Sequence, residues 1–136
     1  MKIARLHYRI ACMRDDVLQK MTTDIATNYG LVGIEDLHVQ GLVHNNCLAL
    51  SLSDAALGKM LVLLESKVLA IGGRVVTVDR FFPSSKRCSQ CSTVNPALTL
   101  ADRMFVCINP ECGYVGDRDD NASRNLLQEA LRIVGL

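Results

Sequence analysis

The 136-residue sequence has no tryptophan, few aromatic residues of any kind (4%), only three prolines, and a net charge of just +1. It also lacks long apolar runs. The longest are short, as in Met60–Leu64, far below the roughly 20 residues of a membrane span. Met1–Ile10 alternates charged with apolar residues instead of building an apolar core, so no secretory leader is read there. Internal repeats and low-complexity segments are absent too. The near-neutral total gives no bulk-charge argument for a nucleic-acid partner. What is present is 49% hydrophobic and 21% charged, the composition of a packed globular protein, which excludes bulk disorder. The cytosol is the expected compartment, with no membrane partner.

Six cysteines without a leader argue against a disulfide framework. Cys12 and Cys47 stand alone, whereas Cys88-Ser-Gln-Cys91 and Cys107-Ile-Asn-Pro-Glu-Cys112 form two close pairs separated by fifteen residues. Zinc takes tetrahedral thiolate coordination, and two such knuckles supply two edges of the tetrahedron. The spacing predicts a zinc ribbon with a small hairpin between the pairs. Four cysteines would leave no open position, so the Zn2+ would be structural, and its binding would supply the folding energy of so short a segment. Four unrelated buried cysteines, or a redox pair, are the alternatives.

The remaining pattern reads as mixed α/β. Ile3, Leu6, Ile10, Met13, Val17, Met21 and Ile25 recur at spacings of three and four, predicting a helix over 2–28 with one apolar face. Gly30 supplies its stop. Leu31–Leu37 reads as a strand ending in Glu35-Asp36, and residues 38–52 as a loop with Gly41 and Asn45-Asn46. Ser53-Asp54 offers an N-cap to a helix over Ala55–Ile71, and Gly72-Gly73 ends it. Arg74–Asp79 is a second, β-branched strand. From Phe81 to Gly116 the character is loop-rich; Asp117–Asn121 is an acidic turn, and Ala122–Val134 a closing helix.

Two local features carry chemistry. Residues 2–20 hold five Lys/Arg against two Asp, and residues 80–91 hold Arg80, Lys86 and Arg87 with no acid; each patch can contact phosphates or simply be a solvated face. Phe81, Phe82 and Tyr114 flank the ribbon, placed to stack on bases or to join the core. Glu35 and Asp119, with Asp117 and Asp120 beside the latter, fit two readings, of which residue statistics alone favour the first. They are ordinary surface acids and a helix N-cap at Asp119 or Asp120, or they converge to hold Mg2+ for phosphodiester chemistry.

Four segments taken together resemble TnpB, the RuvC-like protein of bacterial insertion sequences. These are Ile34-Glu35-Asp36-Leu37-His38-Val39-Gln40-Gly41, Ser53-Asp54-Ala55, Ser84-Ser85-Lys86-Arg87-Cys88-Ser89-Gln90-Cys91, and Asp117-Arg118-Asp119-Asp120-Asn121-Ala122-Ser123-Arg124-Asn125. They lie in the family's order and span nearly the whole chain. The family includes transposase-associated proteins and RNA-guided DNA endonucleases related to type V CRISPR effectors. The resemblance implies a partial RNase H-like (RuvC-like) domain over 1–84 and 117–136, with a four-cysteine zinc ribbon inserted over 85–116. It makes Glu35 and Asp119 two of three catalytic acids and gives Asn121 and Asn125, four apart on one helix face, a supporting role. Cys88, Cys91, Cys107 and Cys112 would hold the zinc; Lys86, Arg87 and Arg118 would contact DNA, with a guide RNA as a further partner.

The sequence also departs from the family. The first catalytic aspartate belongs to an early strand and glycine-rich turn that this chain does not carry, and the guide-binding and target-recognition region is missing. Leu57 and Ser66 replace aromatics, Ser92 replaces a glycine after the first knuckle, and Gln19 replaces a histidine. The expectation is therefore the C-terminal portion of a TnpB-type protein, truncated or split, whose missing acid comes from an N-terminal half on another chain. An uncovered sheet edge would favour that partner or self-association. A catalytically inactive nucleic-acid-binding or regulatory zinc-ribbon remnant is the alternative.

Overall fold

The computed structural model describes residues 2–36, 48–99 and 101–136. The element order is α1 (Lys2–Asn28), β1 (Leu31–Glu35), α2 (Leu48–Ala70), β2 (Arg74–Val78), β3 (Met104–Val106), β4 (Val115–Asp117) and α3 (Arg118–Val134). No helix among the described residues is long and apolar enough to cross a membrane. The expected strand thus ends at Glu35, and Leu37 with residues 38–47 of the expected loop, including Gly41, Asn45-Asn46 and Cys47, lies outside the described residues. Two corrections follow at helix starts. The α2 helix is already formed at Leu48, so Ser53-Asp54 lies within it and not at its start; Leu48, Ala49 and Leu50 are strong helix formers and outweigh the cap signal. Likewise α3 begins at Arg118, not at Ala122.

The chain forms two compact units, Met1–Val32 with Leu37–Val75, and Gly33–Asp36 with Val76–Leu136. In the first, α1 packs on α2. The face α1 uses is not the expected one. Thr22 and Ala26 are its buried residues, while Ile3, Met13 and Val17 are 73%, 67% and 60% exposed. Apolar periodicity shows which face of a helix is greasy; only a neighbour can cover it. The α1–α2 contact is instead polar at its margin: Lys59 pairs with Asp15 at 2.7 Å, and the Lys67 ammonium donates to the Gln19 carbonyl and to the Thr22 and Thr23 hydroxyls at 2.7–2.9 Å. Among the described residues, the buried apolar side chains of α2 are Leu64 and Val68. Gly72, in the left-handed conformation (φ 78°), ends α2 by returning its N–H to the Leu69 carbonyl.

β1 and β2 form a two-stranded sheet. Arg74 N–H reaches the Gly30 carbonyl at one end of the pair and Asp36 N–H the Val78 carbonyl at the other, so the strands run parallel, joined through α2. In the second unit Gly33 lies against α3: a Cβ there would meet Ala130 Cβ at 3.0 Å. Glycine thus lets the strand approach the helix closely. β3 and β4 pair antiparallel, with Met104 opposite Asp117, Phe105 opposite Gly116 and Val106 opposite Val115.

Candidate metal centre and carboxylates

The β3–β4 hairpin alternates as a two-sided ribbon must: Phe105 is fully buried, while Met104 and Val106 are exposed. Cys107 extends the ladder through its N–H to the Tyr114 carbonyl. An Asx turn at Asn109, whose side chain accepts from Glu111 N–H, brings Cys112 back toward Cys107. The second knuckle therefore occupies the tip of the hairpin, and the hairpin does not lie between the cysteine pairs as expected. The first knuckle closes between an Arg87–Val94 bridge, with Cys88 N–H bonded to the Thr93 carbonyl and Ser92 N–H to the Cys88 carbonyl. Ser92 holds φ 66°, the conformation that glycine adopts at little cost. Its hydroxyl accepts from Arg87 Nη2 at 2.8 Å.

The four thiols converge. Cys88 and Cys112 Sγ lie 3.8 Å apart and Cys91 and Cys107 Sγ 3.5 Å, and all four sulfurs fall within 4.8 Å of one another. A tetrahedron with Zn–S near ~2.3 Å has edges of about 3.8 Å, whereas a disulfide requires about 2.05 Å. The set fits a metal such as zinc. Cys88, Leu98, Phe105 and Cys107 form the small core around it, with Cys91, Cys112 and Tyr114 packed alongside. Bonds from the Thr93 hydroxyl and backbone N–H pull the Cys91 thiol down to about 6, and burial pushes Cys107 up to about 12. Charge is thus unevenly favoured among thiols that a cation would hold together as thiolates.

Helix α3 grips the first knuckle by its backbone. Asn121 accepts from Ser89 N–H at 2.9 Å and donates to the Arg87 carbonyl at 2.7 Å. Asn125 donates to the carbonyls of Ser84 and Arg87 at 2.8 and 2.6 Å, and Gln128 to that of Ser89 at 3.0 Å. Both asparagines are fully buried. What the two asparagines hold is the knuckle's main chain. Their i, i+4 spacing was visible in the sequence, but their partners lie 32–41 residues away.

Glu35, half-buried at the end of β1, accepts a 3.0 Å bond from the Ser84 hydroxyl. The sequence marked Ser84 as a loop residue and as the start of a family-like segment, but not as a partner of Glu35. Asp36 pairs with Arg80 at 2.7 Å. Asp119 sits exposed in the first turn of α3, and Arg118 Nη2 reaches it at 3.4 Å. The cap of that helix is Asp117, not Asp119 or Asp120: its carboxylate accepts from Asp119 and Asp120 N–H, which hold it below the ordinary carboxylate range. Glu35 and Asp119 belong to the same compact unit although 84 positions separate them. Among the described residues, the four cysteines are the one set of three or more Cys, His, Asp or Glu donors gathered closely enough for a metal.

Lys86 and Arg118 line one cleft with Ser85, Pro96, Ala97, Leu98 and Thr99. There Lys86 Nζ donates to the Pro96 carbonyl and Arg118 Nη1 to that of Thr99. Arg87 stacks over Phe82 at 5.6 Å. Phe81 is 86% exposed, whereas Tyr114 packs on Phe105, ring centroids 6.1 Å apart.

A family model described as Cas12f1-like, TNB domain, matches residues 58–126, and one described as a probable transposase matches residues 1–46. A Streptomyces pristinaespiralis protein named for RNA-guided DNA endonuclease activity is 44% identical over 130 residues, covering 96% of this chain and 32% of its own length. The similarly named InsQ of Escherichia coli is 32% identical over 141 residues, covering 93% of this chain and 34% of its own length. The chain therefore spans about a third of the relatives it matches. A cryo-EM structure of a Cas12f1–sgRNA–target DNA complex shares the fold, with a TM-score of 0.69 at 21% identity over 93% of this chain and 36% of that one.

Proposed function

The chain belongs to the Cas12f1-like TNB-domain family, and from that premise we propose that it is the C-terminal portion of a TnpB-type, transposase-associated nuclease. In this reading Glu35 and Asp119 are two carboxylates of a RuvC-like Mg2+ site, and a further acid lies outside these 136 residues. Residues 1–84 and 117–136 are part of an RNase H-like domain, and residues 85–116 are a structural zinc ribbon. The observation that carries it is the grouping of Gly33–Asp36, the short segment bearing Glu35, with the C-terminal unit that bears Asp119 and the cysteines. Both side chains offer the hard oxygen ligands that Mg2+ prefers. When bound, Mg2+ would activate water and stabilise a leaving oxygen. The protein's own part is to hold the two carboxylates on a strand end and a helix start, while Lys86 and Arg118 bind the phosphates of DNA, with guide RNA as a second nucleic-acid partner.

Alone, the 136-residue chain binds nucleic acid weakly and leaves it uncut, because two carboxylates hold a metal pair and its water poorly. In this reading a further acid from outside these 136 residues completes the site. A non-catalytic nucleic-acid-binding ribbon is the second reading, favoured by the closeness of the four thiols and the lack of a comparable carboxylate set among the described residues. A Mg2+ cleavage assay on single- and double-stranded DNA, with and without the N-terminal portion of a relative, separates them. Cutting that requires both parts and is lost in Glu35→Ala supports the nuclease. Binding without cutting in either condition supports the ribbon remnant.

A further inference from the structure

We infer that Ser84 is the positioning residue of Glu35, and that through it the carboxylate is tied to the folding of the cysteine ribbon. The inference rests on the carboxylate reading above, and begins from a bond that the family resemblance did not supply. Ser84 is buried, 6% exposed, and its hydroxyl donates to Glu35 Oε1 at 3.0 Å. One fixed donor on one carboxylate oxygen sets the rotation of the group and leaves its other oxygen for a cation.

The place of that hydroxyl is itself held by the ribbon. Ser84 N–H bonds to the Phe82 carbonyl at 2.7 Å, and Lys86 and Arg87 N–H both reach the Pro83 carbonyl. The Ser84 carbonyl takes Asn125 Nδ2. Three residues on, the Arg87 carbonyl takes both Asn125 and Asn121, and the next residue is the metal-facing Cys88, whose N–H bonds to Thr93. Residues 84–89 are thus one braced run, with a carboxylate anchor at one end and a thiol ligand near the other. Metal uptake that orders Cys88 orders the backbone of Ser84, and so the carboxylate of Glu35. A serine that merely satisfied a loop would not move Glu35 when changed.

The test uses the zinc-loaded chain with 13C-labelled glutamate and Mn2+ as probe. Glu35→Gln assigns the Glu35 carboxyl resonance and abolishes the Mn2+ titration seen at the amides around it. Ser84→Ala keeps about one zinc per chain, shifts the Glu35 resonance and raises the Mn2+ midpoint on the order of tenfold; Ser84→Thr restores both. Asn125→Ala shifts the same resonance. If Ser84→Ala leaves resonance and midpoint at wild-type values while Glu35→Gln abolishes binding, the inference is overturned and the carboxylate reading stands. If Mn2+ broadens nothing near Glu35 in the wild type, the carboxylate reading fails, and the resonance shift alone judges Ser84. If Asn125→Ala leaves the resonance unmoved, the tie to the ribbon is overturned.

Discussion

The two asparagines of α3 offer a test in which identical chemistry has opposite consequences. Asn121 uses both ends of its amide, accepting from Ser89 N–H and donating to the Arg87 carbonyl. Asn125 uses only its donor end, toward Ser84 and Arg87 carbonyls, and its Oδ1 is buried without a partner. Truncation to alanine removes two bonds in either case, each worth about 1 kcal/mol net. Asn121→Ala also strands a buried N–H, adding at least about 1 kcal/mol, so the total is ~3 kcal/mol. Asn125→Ala strands the Ser84 carbonyl but removes an already unsatisfied oxygen, for a total of ~2 kcal/mol. Aspartate reverses the order. Asn121→Asp keeps an acceptor for Ser89 N–H, whereas Asn125→Asp loses both donors and aims a buried negative charge at two carbonyl oxygens, costing several kcal/mol. Urea denaturation of the zinc-loaded variants, followed by circular dichroism, reads all four. Asn121→Asp and Asn125→Asp with equal midpoints, or Asn125→Asp the milder, would refute the clamp.

The other outcomes are equally concrete. The wild type should carry about one zinc per chain and Cys107→Ser should lose it by metal analysis; a folded, metal-free ribbon would contradict the centre. Ser92→Gly should raise stability by up to about 1 kcal/mol in the same urea assay, since the left-handed backbone disfavours a Cβ, with the lost Arg87 bond as the offset. Asp117→Ala should lower Tm, and more at neutral than at acid pH. The cap bonds depress the Asp117 carboxyl, so its stabilisation is present above the ordinary value near ~3.9 and fades as pH falls through the lower folded value. Lys86→Ala should weaken DNA binding uniformly across sequences and reduce the salt slope by about 1.

The cysteine spacing was legible because a metal tetrahedron imposes local pairs, and four sulfurs within 4.8 Å answer it. The strand over Leu31–Glu35 and the long α1 were legible too, since β-branching and 3.6-residue periodicity act locally. The buried face of α1 was not, because Thr22 and Ala26 are buried by what packs there while the apolar stripe is left exposed. Asp117 as cap was hidden among three neighbouring aspartates, any of which has the chemistry; only the path of the chain chooses. The Ser84 hydroxyl meets the carboxylate of a residue far away in the chain, and Asn121 and Asn125 hold backbone atoms of distant residues; no local side-chain pattern encodes either.

The central claim is that Glu35 and Asp119 are parts of one divalent-cation site. Crystals of the zinc-loaded chain soaked in Mn2+ and measured at the manganese edge test it directly. The account predicts an anomalous peak, separate from zinc, within about 2.2 Å of a carboxylate oxygen of Glu35 and bridged to Asp119 directly or by a metal pair ~3.5–4 Å apart. Manganese bound elsewhere, or Glu35 and Asp119 on opposite faces of the unit, would contradict it.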